Sequence, residues 1–206
     1  MGLTTPLFKP VLLIIMLALL TTTTSANQKI LVWGDSLSAA YGIPKEKGWV
    51  NLMRKELGDK FKITNGSISG ETTQGGLTRL SSALKKSTPD YLILELGAND
   101  GLRGLPPSVT KNNLSKIIEK AKKADAKVIL LGMKIPPNYG IAYSNQFEAV
   151  FKDLAEKYQL PFIPFFLENI VVDLKLLQED ELHPTAEAQP LILEKILPVV
   201  SVELNK

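Results

Sequence analysis

The 206-residue chain has no cysteine and a single histidine, His183. Without thiols it can form neither a disulfide framework nor a thiolate metal site. One imidazole leaves a zinc cage to be built almost wholly from carboxylates, so structural zinc is excluded. An excess of one charge sign is also lacking: 24 Lys and Arg stand against 21 Asp and Glu, a net +3, and no basic run is interleaved with aromatics, which make up 7% of the chain. That balance leaves no electrostatic footprint for a nucleic-acid partner. What remains, 45% hydrophobic and 22% charged over 206 residues, is the composition and length of one folded soluble domain, which sets aside disorder, collagen and low-complexity architectures.

The long apolar run falls at the start. Residues 1–10 (MGLTTPLFKP) carry one lysine and no acid, residues 11–20 are apolar throughout, and TTTTSAN follows. This is the layout of a secretory signal peptide, residues 1–26, with cleavage after Ala26 and one domain over residues 27–206. Ten apolar residues make about 15 Å of helix against roughly 30 Å of bilayer core, too short for a membrane anchor. The absence of cysteine also removes a lipid-attachment site. The expectation is a periplasmic or secreted monomer with no stable membrane anchor.

From residue 29 on, short apolar runs alternate with amphipathic stretches. Strands are predicted at residues 29–33 (KILVW), 61–64 (FKIT), 91–96 (YLILEL), 127–131 (KVILL) and 161–166 (PFIPFF), most of them bounded by Gly, Pro, Asn or Asp. Helices are predicted between them at residues 49–57, 77–86, 108–124, 145–158 and 185–200. In the third, Leu114, Ile117, Ile118 and Ala121 repeat at the spacing of one buried helix face. Strands apolar on both faces, each followed by a helix, predict an α/β fold. Its form is a three-layer α/β/α sandwich with a five-stranded, mostly parallel, flavodoxin-like sheet. In such sheets ligands bind beyond the carboxyl ends of the strands, so the loops after each strand are where chemistry belongs.

The first strand runs into Gly34-Asp35-Ser36-Leu37-Ser38, placing a serine hydroxyl at a strand-to-helix turn. Taken alone, Ser36 is as well explained as a helix cap, and the block is not the G-x-S-x-G elbow, since position 38 is serine. The second strand leads to residues 65–70 (NGSISG) and the third to Gly97-Ala98-Asn99-Asp100. Their glycines can be plain turn residues, or Gly70 can offer a backbone N–H and Asn99 a side-chain amide to the crevice above the first strand. Near the C-terminus stands Asp180-Glu181-Leu182-His183-Pro184. An aspartate three residues before a histidine can accept a hydrogen bond from the ring and fix its tautomer, freeing the other nitrogen as a general base. A lone histidine is ordinarily just a satisfied polar residue. Here it is preceded by Asp, followed by a stiffening Pro, and shares the chain with a serine at the end of the first strand, in the order Ser, Asp, His.

The four blocks, GDSL (34–37), the Gly70 region, GAND (97–100) and DELH (180–183), resemble the signature blocks of the GDSL or SGNH hydrolases, named for Ser, Gly, Asn and His. The resemblance extends over the whole domain, most closely in GDSLSAAYGI, SISGETTQGGLTRL, LELGANDGLRGLPP, PPNYG and HPTAEAQP. It implies a cofactor-independent serine hydrolase of acyl esters and thioesters. Ser36 would be the nucleophile, His183 the base and Asp180 its orienting acid. The Ser36 N–H, the Gly70 N–H and the Asn99 side chain would form the oxyanion hole. Ala98 departs from the family, where a second glycine is common. The loops after strands three and four place Leu102, Leu105, Ile135, Ile141 and Tyr143 where they can line an acyl groove or merely pack their own loops.

Other constellations fail. Residues 70–75 have the glycine spacing of a phosphate loop, but Gly76-Leu77 stands where Lys-Ser/Thr belongs. No G-x-G-x-x-G follows a strand, so a dinucleotide is unsupported. Among Asp35, Glu95, Asp100 and Asp180, no spacing selects a glycosidase pair. Asp35 is expected to bond backbone in its own turn, and Glu95, inside an apolar strand, requires a buried partner that the sequence does not name. Two rivals remain open: a carbohydrate or aryl-ester deacetylase using the same site, and a non-catalytic exported binding domain.

Overall fold

The computed structural model describes residues 1–2 and 27–206; the signal-peptide expectation falls on residues outside that description. Five strands, β1 (Gln28–Gly34), β2 (Phe61–Asn65), β3 (Tyr91–Glu95), β4 (Lys127–Leu131) and β5 (Phe162–Ile163), form one sheet in the order β2-β1-β3-β4-β5. Every pairing is parallel, so the sheet is fully rather than mostly parallel. This is the flavodoxin-like order, and its chain reversal between β1 and β3 opens a crevice at their carboxyl ends.

Among the described residues, seven α-helices connect and cover it: α1 (Ser36–Ala39), α2 (Trp49–Leu57), α3 (Thr73–Ser87), α4 (Ala98–Leu102), α5 (Pro107–Lys123), α6 (Ile141–Tyr158) and α7 (Gln189–Leu204). Right-handed crossovers put α3, α5 and α6 side by side on one face and α2 against α7 on the other. With both faces covered, the central strands have no solvent side. All five residues of β3 are buried, as are the last five of β1 and the last four of β4, which is why their sequences are continuously apolar. Trp33, Trp49, Phe147, Phe151 and Phe166 are the largest fully buried side chains. None of the described helices is long and apolar enough to cross a membrane.

The differences from the predicted boundaries have local causes. α3 starts four residues early because Thr72 caps it, its side chain accepting the Gly75 N–H at 3.2 Å. Gly76, in the added first turn, is required by packing: a Cβ there would stand 2.4 Å from a Leu96 methyl. β5 shrinks to two residues, Phe162–Ile163, lying between Pro161 and Pro164. α7 begins at Gln189, leaving the residues after His183 as turns that carry the polypeptide down from the crevice.

Candidate active site

Three strand ends and one C-terminal loop converge on the crevice. β1 ends in the turn that carries Ser36. Asp35 caps α1, its Oδ1 accepting the Leu37 N–H at 3.0 Å, and the turn closes through Ala40 in the left-handed conformation, φ 59°. Gly34 is required by space: a Cβ there would lie 2.4 Å from Glu95 Oε2 and 2.8 Å from Ser38 Oγ. Ser36 itself is 9% exposed.

Asp180 organises the C-terminal loop. Its Oδ1 accepts the backbone N–H groups of Leu182 (3.0 Å) and His183 (2.9 Å), a turn that Glu181 completes at φ 56°. Its Oδ2 lies 2.6 Å from His183 Nδ1, and His183 Nε2 lies 2.9 Å from Ser36 Oγ. Partial burial works against ionisation of Asp180. The backbone N–H of His183, its ring N–H and the Leu182 N–H outweigh that and hold the carboxyl at about 2. An ionised Asp180 fixes the proton on Nδ1 and leaves Nε2 as the acceptor toward Ser36. Ser36, His183 and Asp180 are thus brought into one hydrogen-bonded chain.

Gly70 and Asn99 flank that chain. Gly70 adopts φ 76°, where only glycine is unstrained, and is exposed with open space above it. Its loop is tied down at several points. Gly66 and Ile68 N–H groups bond β1 carbonyls, Arg79 donates to Gly66 O (2.6 Å) and to Glu71 (2.5 Å) while lying over the Trp33 ring, and Arg103 donates to Gly70 O (3.1 Å). Asn99 is held from beside Ser36, its Nδ2 donating to Asp35 Oδ2 at 3.0 Å; an amide has a second N–H to offer. Asp100 joins the two loops from below, accepting the Thr73 N–H at 2.8 Å and the Thr73 hydroxyl at 2.5 Å, while Asn113 donates to that hydroxyl.

Below the Ser36 turn lie two buried acids, Asp35 and Glu95. Burial pushes Asp35 up to about 6, against the Leu37 N–H, the Asn99 amide and the His183 charge. Burial and the neighbouring Asp35 charge raise Glu95 well above the ordinary carboxylate range. The partner Glu95 required is Ser38, whose hydroxyl donates to Oε2 at 2.6 Å, together with the Asp35 N–H at 3.2 Å.

The expected groove residues divide. Leu102, Leu105 and Tyr143 are half-buried beside the crevice and Ile141 is 75% exposed. Ile135 is instead a core residue, 7% exposed, packed where a Cβ on Gly101 would meet its methyl at 2.5 Å. The Tyr143 hydroxyl donates to Gly101 O and Leu105 O, and the Tyr139 hydroxyl to Leu102 O, so these two loops are stapled together. Sequence reasoning missed Tyr41, whose ring lies 4.4 Å from the His183 ring, and Gln178, whose amide bonds Tyr41 O and Pro184 O across the crevice. Tyr41 lies within the GDSLSAAYGI stretch but has no role assigned there, and Gln178 lies outside the four blocks. Both are visible only once residues far apart in sequence are adjacent.

A hydrogen-bonded serine–histidine–aspartate chain at the switch point of a flavodoxin-like sheet is an arrangement suited to a serine hydrolase, and the comparisons show that class. Residues 32–190 match the model of the GDSL-like Lipase/Acylhydrolase family. An arylesterase of Vibrio mimicus is 47% identical over 178 residues, 85% of this chain and 89% of that protein. The thioesterase 1/protease 1/lysophospholipase L1 of Escherichia coli K12 is 39% identical, covering 86% of each. Among solved structures, the psychrotrophic esterase EstA from a Pseudoalteromonas species, inhibited by monoethylphosphonate, superposes with a TM-score of 0.82 at 40% identity, covering 87% of this chain and all of that one. The chain belongs to the GDSL-like Lipase/Acylhydrolase family and is a serine hydrolase.

Proposed function

We propose that this enzyme hydrolyses acyl esters and acyl thioesters through an acyl-enzyme on Ser36. The observation that carries the reading is the 2.9 Å contact between Ser36 Oγ and His183 Nε2, with Asp180 on the opposite ring nitrogen at 2.6 Å. Ser36 Oγ attacks the acyl carbonyl as His183 takes its proton. The oxyanion forms among the Ser36 N–H, the Gly70 N–H and the free N–H of Asn99. On collapse, His183 protonates the departing alkoxide or thiolate, and a water activated by the same imidazole then releases the acid. Asp180 stabilises the imidazolium without taking its proton.

The names of the relatives, arylesterase and thioesterase/lysophospholipase, support aryl esters, acyl-CoA and lysophospholipids as the substrate classes. Leu102, Leu105, Ile141 and Tyr143 are the side chains proposed to line the acyl groove. Residues 1–26 are proposed to be removed after Ala26, releasing residues 27–206 as a periplasmic or secreted monomer; N-terminal sequencing of the native protein tests that step. The test of the chemistry is fluorophosphonate labelling read by intact mass, alongside turnover of p-nitrophenyl esters and acyl-CoA. One adduct on the native enzyme and none on Ser36→Ala is expected. Labelling and turnover surviving in Ser36→Ala would overturn the reading.

A further inference from the structure

The floor of the site holds a carboxyl that this mechanism leaves unused. Glu95, the last residue of β3, is wholly buried, and its two oxygens meet different surroundings. Oε2 accepts the Ser38 hydroxyl at 2.6 Å and the Asp35 N–H at 3.2 Å, whereas Oε1 has no hydrogen-bond partner. The charged group beside it is another acid, Asp35, and not a cation. Asp35 in turn commits its oxygens to the Leu37 N–H and the Asn99 amide, with Asp100 and His183 as its further charged neighbours.

A carboxylate with one bare oxygen, out of water and beside a second carboxylate, is disfavoured by desolvation and by repulsion together. A carboxylic acid in the same place has neither problem. Its bare oxygen carries the proton, with the Asp35 carboxylate as the acceptor at hand, while the other oxygen still accepts both donors it has here. The missing Cβ of Gly34 leaves room for this group directly under the Ser36 turn.

We propose that Glu95 is a positioning residue that works as an un-ionised carboxylic acid. Through Oε2 it fixes Ser38 and the Asp35 N–H, and with them the turn that presents Ser36. By staying neutral it leaves Asp35 as the carboxylate that holds the Asn99 amide in place. The inference rests on the reading of Ser36 as nucleophile and Asn99 as oxyanion donor.

Infrared spectroscopy of the full chain tests it at pH 7, where an ordinary glutamate is ionised. The native enzyme should show a carboxylic-acid carbonyl band that moves on labelling with isotopic glutamate and is absent from Glu95→Gln. No such glutamate band in the native enzyme would overturn the proposal, whether or not any variant folds. In turnover of a p-nitrophenyl ester, Glu95→Ala should lower kcat about tenfold or more with KM little changed, as a misplaced nucleophile does. Glu95→Gln, neutral and of the same shape, should recover most of that loss. A glutamine variant as impaired as alanine at native Tm would also overturn it. Retained turnover in Ser36→Ala would instead sink the active-site reading, an outcome the infrared band does not depend on.

Discussion

The two ends of the sheet are built from different materials. At the carboxyl ends lie all the buried polar or charged side chains found among the described residues: Asp35, Ser36, Ser38, Thr73, Glu95, Asp100, Thr110, Asn113 and Gln189. At the amino ends, α3, α5 and α6 finish in exposed lysines, Lys85, Lys86, Lys120, Lys122, Lys123 and Lys157, and reverse through left-handed residues at Thr88, Asp125 and Gln159. The clefts there are lined by Lys122, Lys127, Tyr158 and Glu203 or by Lys85, Lys120, Lys123 and Asp90, and in the second the Ser81 hydroxyl accepts from the exposed Lys120 ammonium at 3.1 Å. Lysines in a last helical turn complement the helix dipole in water and favour folding. Buried acids do the opposite. Desolvation of Asp35 and Glu95 weakens the fold at neutral pH, and their place under Ser36 is where such a cost is expected to serve function.

That contrast can be broken most severely at Ser36 and His183. Replacing either by alanine should lower kcat about 10⁴-fold or more, read as single-turnover acyl release, whereas Lys123→Ala should leave kcat/KM within about twofold and change stability by a few tenths to about 1 kcal/mol. Equal losses at the two ends would erase the distinction. Asn99→Ala comes next. Losing one oxyanion donor costs ~10²–10³ in kcat with KM little changed, while a turn residue would lower Tm by the worth of one hydrogen bond, about 0.5–1.5 kcal/mol, and spare the chemistry.

The sharpest stability test uses pH, because two acids of the site have opposite signs. Asp35 keeps its proton in the folded state up to about 6 although the unfolded chain loses it near 3.8, so its contribution to stability falls as pH rises between those values and stays low above them. Asp35→Asn should remove that slope and raise Tm at pH 7, while kcat falls because Asn99 loses its carboxylate. Asp180 is held at about 2; its contribution is present above about 3.8 and lost as pH falls through about 2. Asp180→Asn should therefore flatten the acid limb of a Tm profile and lower Tm across the neutral region, where the ionised carboxylate makes its contribution. A variant pair with identical Tm profiles would show that the two carboxyls do not differ.

The smallest effect concerns the groove. Each methylene buried along Ile141 and Leu102 gains up to about 0.8 kcal/mol, so kcat/KM should climb with acyl length and climb less in Ile141→Ser. A flat series of esters would assign these side chains to packing alone, as Ile135 is already assigned to the core.

Much of the fold was legible in the chain because parallel strands buried on both faces leave continuous apolar runs: β3 and β4 are bounded nearly as predicted. β5 was overread: the apolar run of residues 161–166 continues past the two residues, Phe162–Ile163, that pair with β4. Of the site, Ser36, Asn99, Asp180 and His183 stood out through blocks whose order is preserved along the sequence. Tyr41, Arg79 and Ser38 lie inside the family-like stretches and Gln178 lies outside them, yet none stood out, because the contacts each makes are to residues distant in sequence or across the crevice.

The sequence by itself determined the alternation of strand and helix, the glycine at position 70 and the local Asp180–His183 turn, all of which depend on residues within a few positions of one another. Only the tertiary structure decided that Ser36 meets an imidazole 147 residues away, that Asp100 ties the Asn99 loop to α3, and that Glu95 lies buried beneath the Ser36 turn with an acid for a neighbour. The reason is that burial and proximity belong to the packed sheet: a residue's hydration, and with it the state of its proton, is fixed by what folds against it and not by the letters beside it.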